Sequence, residues 1–174
     1  LAISTATGNQ NYPYLVPDGS GGAIIFWVDY RSGDADIYAQ RVNSDGSVQW
    51  AAGGVQIAGG SGGQSFFYPY YKMEGFVMAD GTGGAFIAYN NDADGDKDLY
   101  AQRINSSGNV QWGSGGVKVT NLANDDQAQR LTSDGAGGII LVWENYNSSG
   151  GANAIYAQRL NASGVAQWSP ADGV

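Results

Sequence analysis

Apolar positions along the chain come in short bursts broken by glycine-rich turns, the rhythm of strands rather than helices. Tyr14 to Val28 (YLVPDGSGGAIIFWV) reads as two strands joined by a glycine turn. The second of these is apolar almost without alternation, which predicts a strand covered on both faces and hence sheets stacked face to face. Ile37 to Val42 mixes polar and apolar residues, then turns at Asn43-Ser44-Asp45-Gly46 into Ser47 to Trp50. Asn105-Ser106-Ser107-Gly108 and Asn161-Ala162-Ser163-Gly164 repeat that turn, with Gly where a type I turn plus bulge needs a positive φ. No window sustains helical periodicity, because Gly or Asn interrupts each one. The longest apolar runs, Ala23 to Val28 and Ile139 to Trp143, fall far short of the roughly 20 residues that span a bilayer. No membrane insertion is expected.

The pattern itself recurs. Asp18 to Trp50 returns as Asp80 to Trp112 and again as Asp134 to Trp168, and the tetrapeptide YAQR starts at Tyr38, Tyr100 and Tyr156, 62 and 56 residues apart. A short apolar segment follows the first two copies (GVQIA at 54–58, GVKVT at 116–120), whereas the third stops at Gly173-Val174. Leu1-Ala2-Ile3-Ser4 resembles the piece the third copy lacks. One repeat domain over 1–174 is expected, with units at 5–58, 59–120 and 121–174 and residues 1–4 completing the last unit or that of a neighbouring chain.

A unit of about 58 residues with four or five short antiparallel strands reads as a propeller blade. The DGxGG turn at Asp18 to Gly22, Trp27 with Asp29, the strand Asp36 to Arg41, Gly46 and Trp50 together resemble a repeat of secreted and surface-anchored bacterial β-propellers. That resemblance covers essentially the full chain, and it implies an all-β, propeller-like fold of three tandem blades in an extracellular or cell-surface protein. Propellers close with about four to eight blades, so three blades predict a homo-oligomer or head-to-tail polymer joined through Leu1, Ala2, Ile3 and Ser4. A β-prism or β-trefoil would instead accommodate three repeats in a monomer.

Composition narrows the chemistry. The 174 residues include 28 Gly, no Cys and no His, and carry a formal net charge of −8. Disulfides, thiolate catalysis and imidazole chemistry are thereby excluded, and the negative charge opposes binding to nucleic-acid phosphates or anionic lipid. A chain that begins with Leu, with no signal-like segment, is expected to be a processed or excised piece.

Candidate chemistry lies where the repeats differ. Asn90, Asp92, Asp94, Asp96 and Asp98 of the second copy read as N-x-D-x-D-G-x-x-D, oxygen donors spaced to wrap Ca²⁺. The segment resembles the calcium loops of integrin-type propellers; in the first copy Arg31 stands among Asp29, Asp34 and Asp36, and the third copy has lost the acids. Phe67, Tyr68, Tyr70 and Tyr71 sit in the stretch that lengthens the second repeat, as a ligand or glycan surface or as rings that plug a gap between blades. Trp50, Trp112 and Trp168, at one fixed repeat position, are expected to pack between blades, and Arg41, Arg103 and Arg159 to pair with Asp18, Asp80 and Asp134. Asn105, Asn147 and Asn161 begin N-glycosylation sequons. Because acidic residues concentrate in turns, with Glu74 and Glu144 isolated, the sequence favours a non-catalytic binding, adhesion or assembly module and no enzyme. A lectin comes second and a glycoside hydrolase third.

Overall fold

A computed structural model describes residues 1–65, 76–147 and 149–174, without the side chain of Ala128. Each repeat forms its own antiparallel sheet. The first holds β1 (Gln10–Pro17), β2 (Ala23–Asp29), β3 (Asp36–Val42) and β4 (Val55–Ala58), hydrogen-bonded in that order. In the second, β7 (Ala85–Asn91) pairs on one side with both β5 (Gln64–Ser65) and β6 (Val77–Ala79), and on the other with β8 (Asp98–Ile104), which pairs with β9 (Val117–Lys118). The third holds β10 (Asp125–Ser133), β11 (Ile139–Tyr146) and β12 (Ala154–Leu160). Val174 exchanges two backbone hydrogen bonds with Ala157 beside it, at 2.9 and 3.0 Å. No sheet closes on itself as a barrel, and no helix occurs among the described residues.

The near-continuous apolar strands are explained by what covers them. Successive side chains of a strand point to opposite faces. In β7, Ala85, Ile87 and Tyr89 join Ile24, Phe26 and Val28 of the first sheet in one core. Phe86 and Ala88, on the other face, join Ile139, Leu141 and Trp143 of the third sheet in a second core. Thus the middle sheet is buried on both faces.

The repeated polar residues are scaffold. The Gln of YAQR is fully buried, and its side-chain oxygen accepts the backbone N–H of the repeat's Trp: Gln40 from Trp50, Gln102 from Trp112 and Gln158 from Trp168, each at 2.9 Å. The amide end of each donates to a carbonyl just beyond, of Ala51, Gly113 or Ala171. Arg41, Arg103 and Arg159 pair with Asp18, Asp80 and Asp134 as expected, at 2.9, 2.9 and 3.0 Å. Those aspartates also cap their turns; Asp18 accepts from the N–H groups of Ser20 and Gly22, which holds its carboxyl below the usual range.

The Asn-Gly turns form with Gly46, Gly108 and Gly164 at φ of +86°, +84° and +79°. Their return arms differ from the expected hairpin strand. Only a single bridge, such as Val42 to Val48, forms before the chain leaves the sheet. The reason is the Trp, which turns to the next repeat: Trp50 Nε1 donates to the carbonyl of Ser106, and Trp112 Nε1 to that of Ala162, both at 3.1 Å. Each indole lies on the glycine of the turn it reaches, where a Cβ on Gly108 or Gly164 would come within 2.9 Å of the ring.

Candidate functional site

In a meander, the connections after the second and fourth strands of each repeat lie at one end of the sheets, opposite the DGxGG and Asn-Gly turns. Asp29, Asn90, Asp98, Asp126 and Asn145 lie at that end. The strands that open each sheet are irregular there: β1 shifts register between Asn11 and Tyr14, β10 between Gln127 and Arg130. Equivalent positions of the second repeat are split between β5 and β6. Such bulges commonly re-aim side chains next to functional sites.

Around the bulge of β10 stands a set of buried polar groups: Gln127 Oε1 and both side-chain polar atoms of Gln129 find no hydrogen-bond partner among the described residues, and the buried Asp126 carboxyl is faced by Thr120, Asn145 and Trp143. Gln64 Oε1 of the second repeat is likewise without a partner among the described residues. An unmet buried polar atom costs about 1–3 kcal/mol, so a cluster of them marks a place where stability is spent for some other purpose. Around Asp126 the frame is fixed. Its Oδ1 accepts from Asn145 Nδ2 at 2.9 Å, its backbone carbonyl accepts from Asn90 Nδ2 at 2.6 Å, and its N–H donates to the Lys97 carbonyl at 2.8 Å. Burial pushes the Asp126 carboxyl above its ordinary pKa. Asp98, which opens β8, is also raised by burial, against the opposing pull of Lys118. The sequence signal for this cluster was the alternation Gln127, Gln129 in a strand whose counterpart in the first repeat reads NYPYLV.

The donors expected to wrap calcium are not gathered around one point. Asn90 belongs to β7 and spends its amide on the Asp126 carbonyl, and Asp92 accepts from the N–H of Gly63 at 2.6 Å. Lys118 Nζ sits between Asp94 and Asp98, at 2.9 and 2.7 Å. Asp96 is half-buried on the same turn. Among the described residues no three acidic side chains converge in a metal-holding group. A Ca²⁺ ion entering this turn would have to displace Lys118 from two carboxylates. Lys118→Met is therefore expected to enlarge the rise in melting temperature that millimolar Ca²⁺ gives; absence of any calcium shift in both proteins would reduce the loop to a salt-bridged acidic turn. In the first repeat Arg31 takes this part, pairing with Asp29 at 2.6 Å.

Phe67, Tyr68, Tyr70 and Tyr71 lie outside the described residues. Leu1 to Ser4 join no strand; Leu1 is 84% exposed, and Ile3 and Ser4 line a cavity of about 190 Å³ with Gln10, Pro13, Ile25 and Trp27.

No protein-family model matches the chain, and no curated protein matches it. Among solved structures it is similar to the crystal structure of endo-arabinase from Bacteroides thetaiotaomicron, with a TM-score of 0.54 and 17% identity. The match covers 95% of this chain and 62% of that one, so the chain spans less than two thirds of its structural neighbour. At this identity the likeness concerns the fold. It nonetheless overturns the expectation of no enzyme, since the structure that this fold resembles is that of an enzyme, an endo-arabinase. The placement of most acidic residues in turns had weighed too heavily there, because glycoside hydrolysis needs only a pair of carboxyl groups that the fold brings together.

Proposed function

We propose that the chain is a carbohydrate-active β-propeller of the glycoside-hydrolase kind, its three sheets serving as blades and its glycan held at the end where the opening strands bulge. The observation that carries this reading is the fold likeness to an endo-arabinase over 95% of the chain. The Gln127 and Gln129 side chains beside Asp126, unpartnered among the described residues, support it, since amide groups pair with sugar hydroxyls. Asp126 is the candidate general acid. A carboxyl kept protonated by burial is what protonates a glycosidic oxygen, while a second carboxyl acts as base or nucleophile; Asp98 is the nearest counterpart in kind. A polysaccharide substrate also suits the extracellular setting expected from the sequence.

The test is release of reducing ends from arabinan and a panel of other polysaccharides, run beside Asp126→Asn with calorimetric binding. Parent activity is expected to fall by roughly 10²-fold or more in the variant while binding persists, the scale of a lost general acid. The variant should remain folded: Asp126 holds its proton more tightly in the folded state, so ionisation costs stability as pH rises towards the raised folded value, and Asn removes that cost. Neither turnover nor binding on any glycan would sink the proposal.

A further inference from the structure

The two outer sheets leave opposite halves of one interface open. Within the chain that interface is built twice. The far face of one sheet, carrying Phe26 and Ile37 in the first and Ala88 and Leu99 in the second, meets the near face of the next. All four of those residues are fully buried. Their counterparts in the third sheet, by strand register, are Val142 and Ile155, which are 40% and 74% exposed. The near face shows the converse. Val77 and Leu131, which pair across the strand with Ile87 and Leu141, are half-buried against the preceding sheet, yet their counterpart Leu15, paired with Ile25, is 66% exposed.

The indole clasp is open in the same sense. Trp112 rests on the Gly164 turn and is 5% exposed, whereas Trp168 is 36% exposed beside a cavity of about 480 Å³. At the other end, the Gly46 turn that would receive such an indole has only the Leu1 side chain near it, at 3.9 Å.

From this complementarity we infer that a second copy of this chain docks head to tail, its first sheet covering Val142 and Ile155 and its Ser44 carbonyl accepting from Trp168 Nε1. The occupant is a like chain because the missing half of each open face is the half presented at the far end of the same molecule, in an interface the chain already makes twice between its own repeats. Docking is independent of any glycan chemistry.

Sedimentation at micromolar concentration tests this on the full chain, with Ile155→Asp and Leu15→Asp as variants. Both side chains are exposed in the single chain, so each variant is expected to keep its fold and melting behaviour. The parent is expected at twice the monomer mass or more, and each variant alone as a monomer. An equimolar mixture of the two should associate again, because the Leu15 face of one and the Ile155 face of the other are both intact. A monomeric parent would overturn the inference, and so would dissociation by only one of the two variants or a mixture that stays monomeric. Loss of polysaccharide activity with association retained would count against the functional reading alone.

Discussion

Trp112→Ala is expected to cost about 3–5 kcal/mol of folding free energy, the range for truncating a buried aromatic. Three contacts disappear together. The ring lies 5.5 Å from Phe86, it covers the Gly164 turn, and its Nε1 donates to the Ala162 carbonyl across the gap between the second and third sheets. The contrast is Trp168→Ala, in the same position of the next repeat. There the backbone link to Gln158 remains at 2.9 Å while the ring has no following sheet beneath it. In the Ile155→Asp background, where association is removed, Trp168→Ala is expected to cost under about 1 kcal/mol, as for a substitution at the surface. Urea unfolding of the two alanine variants in that background measures the difference. Equal costs would show that the indole stabilises its own repeat rather than the junction.

That contrast also shows where sequence reasoning reached and where it stopped. Three repeats of strands, glycine turns with positive φ, and the Arg-Asp pairs were all legible, because each depends on residues close in sequence or fixed in the repeat. The unalternating strand read at Ala23–Val28 pointed to a sheet covered on both sides, yet it is the second sheet, with Ala85–Asn91, that is buried on both faces, while the first is covered by a neighbouring sheet on one. The role of the YAQR glutamine was not legible. It satisfies backbone groups ten residues on, and nothing in a strand pattern distinguishes that from an exposed Gln. The residues expected as calcium donors show what spacing leaves out. Spacing alone placed Asn90 and Asp98 in a loop, whereas both belong to strands whose neighbours, Asp126 and Lys118, lie in other segments and claim them. The burial of Asp126 was not legible either, since it depends on how the third sheet packs on the second, where Asn90 reaches its carbonyl.

Gly84→Ala is expected to destabilise the chain more than any other substitution in the DGxGG turn, by about 3 kcal/mol or more, beyond the usual range for overpacking. The reason is space, not backbone conformation. An added Cβ would lie far inside contact distance of the Ile104 carbonyl oxygen, 2.8 Å from Asp80 Oδ2 and 3.0 Å from Asn105 Cα. Two of those three neighbours are backbone, which cannot rotate away. The third is the carboxylate that binds Arg103 at 2.9 Å and accepts the Gly84 N–H at 2.8 Å, so relieving the clash would break the turn's own cap. Gly81→Ala, three residues earlier, separates the two effects. Nothing lies within 4 Å of a Cβ there, but φ is +77°, so only the left-handed penalty of about 1–2 kcal/mol applies. Because Gly22 and Gly138 face the same carbonyl in their own repeats, their alanine variants should match Gly84→Ala in direction. Thermal melts of the Gly81 and Gly84 variants decide the matter: a smaller loss at Gly84 than at Gly81 would mean that the turn opens to admit a methyl group, and that close packing of the strand pair is not what the glycine serves.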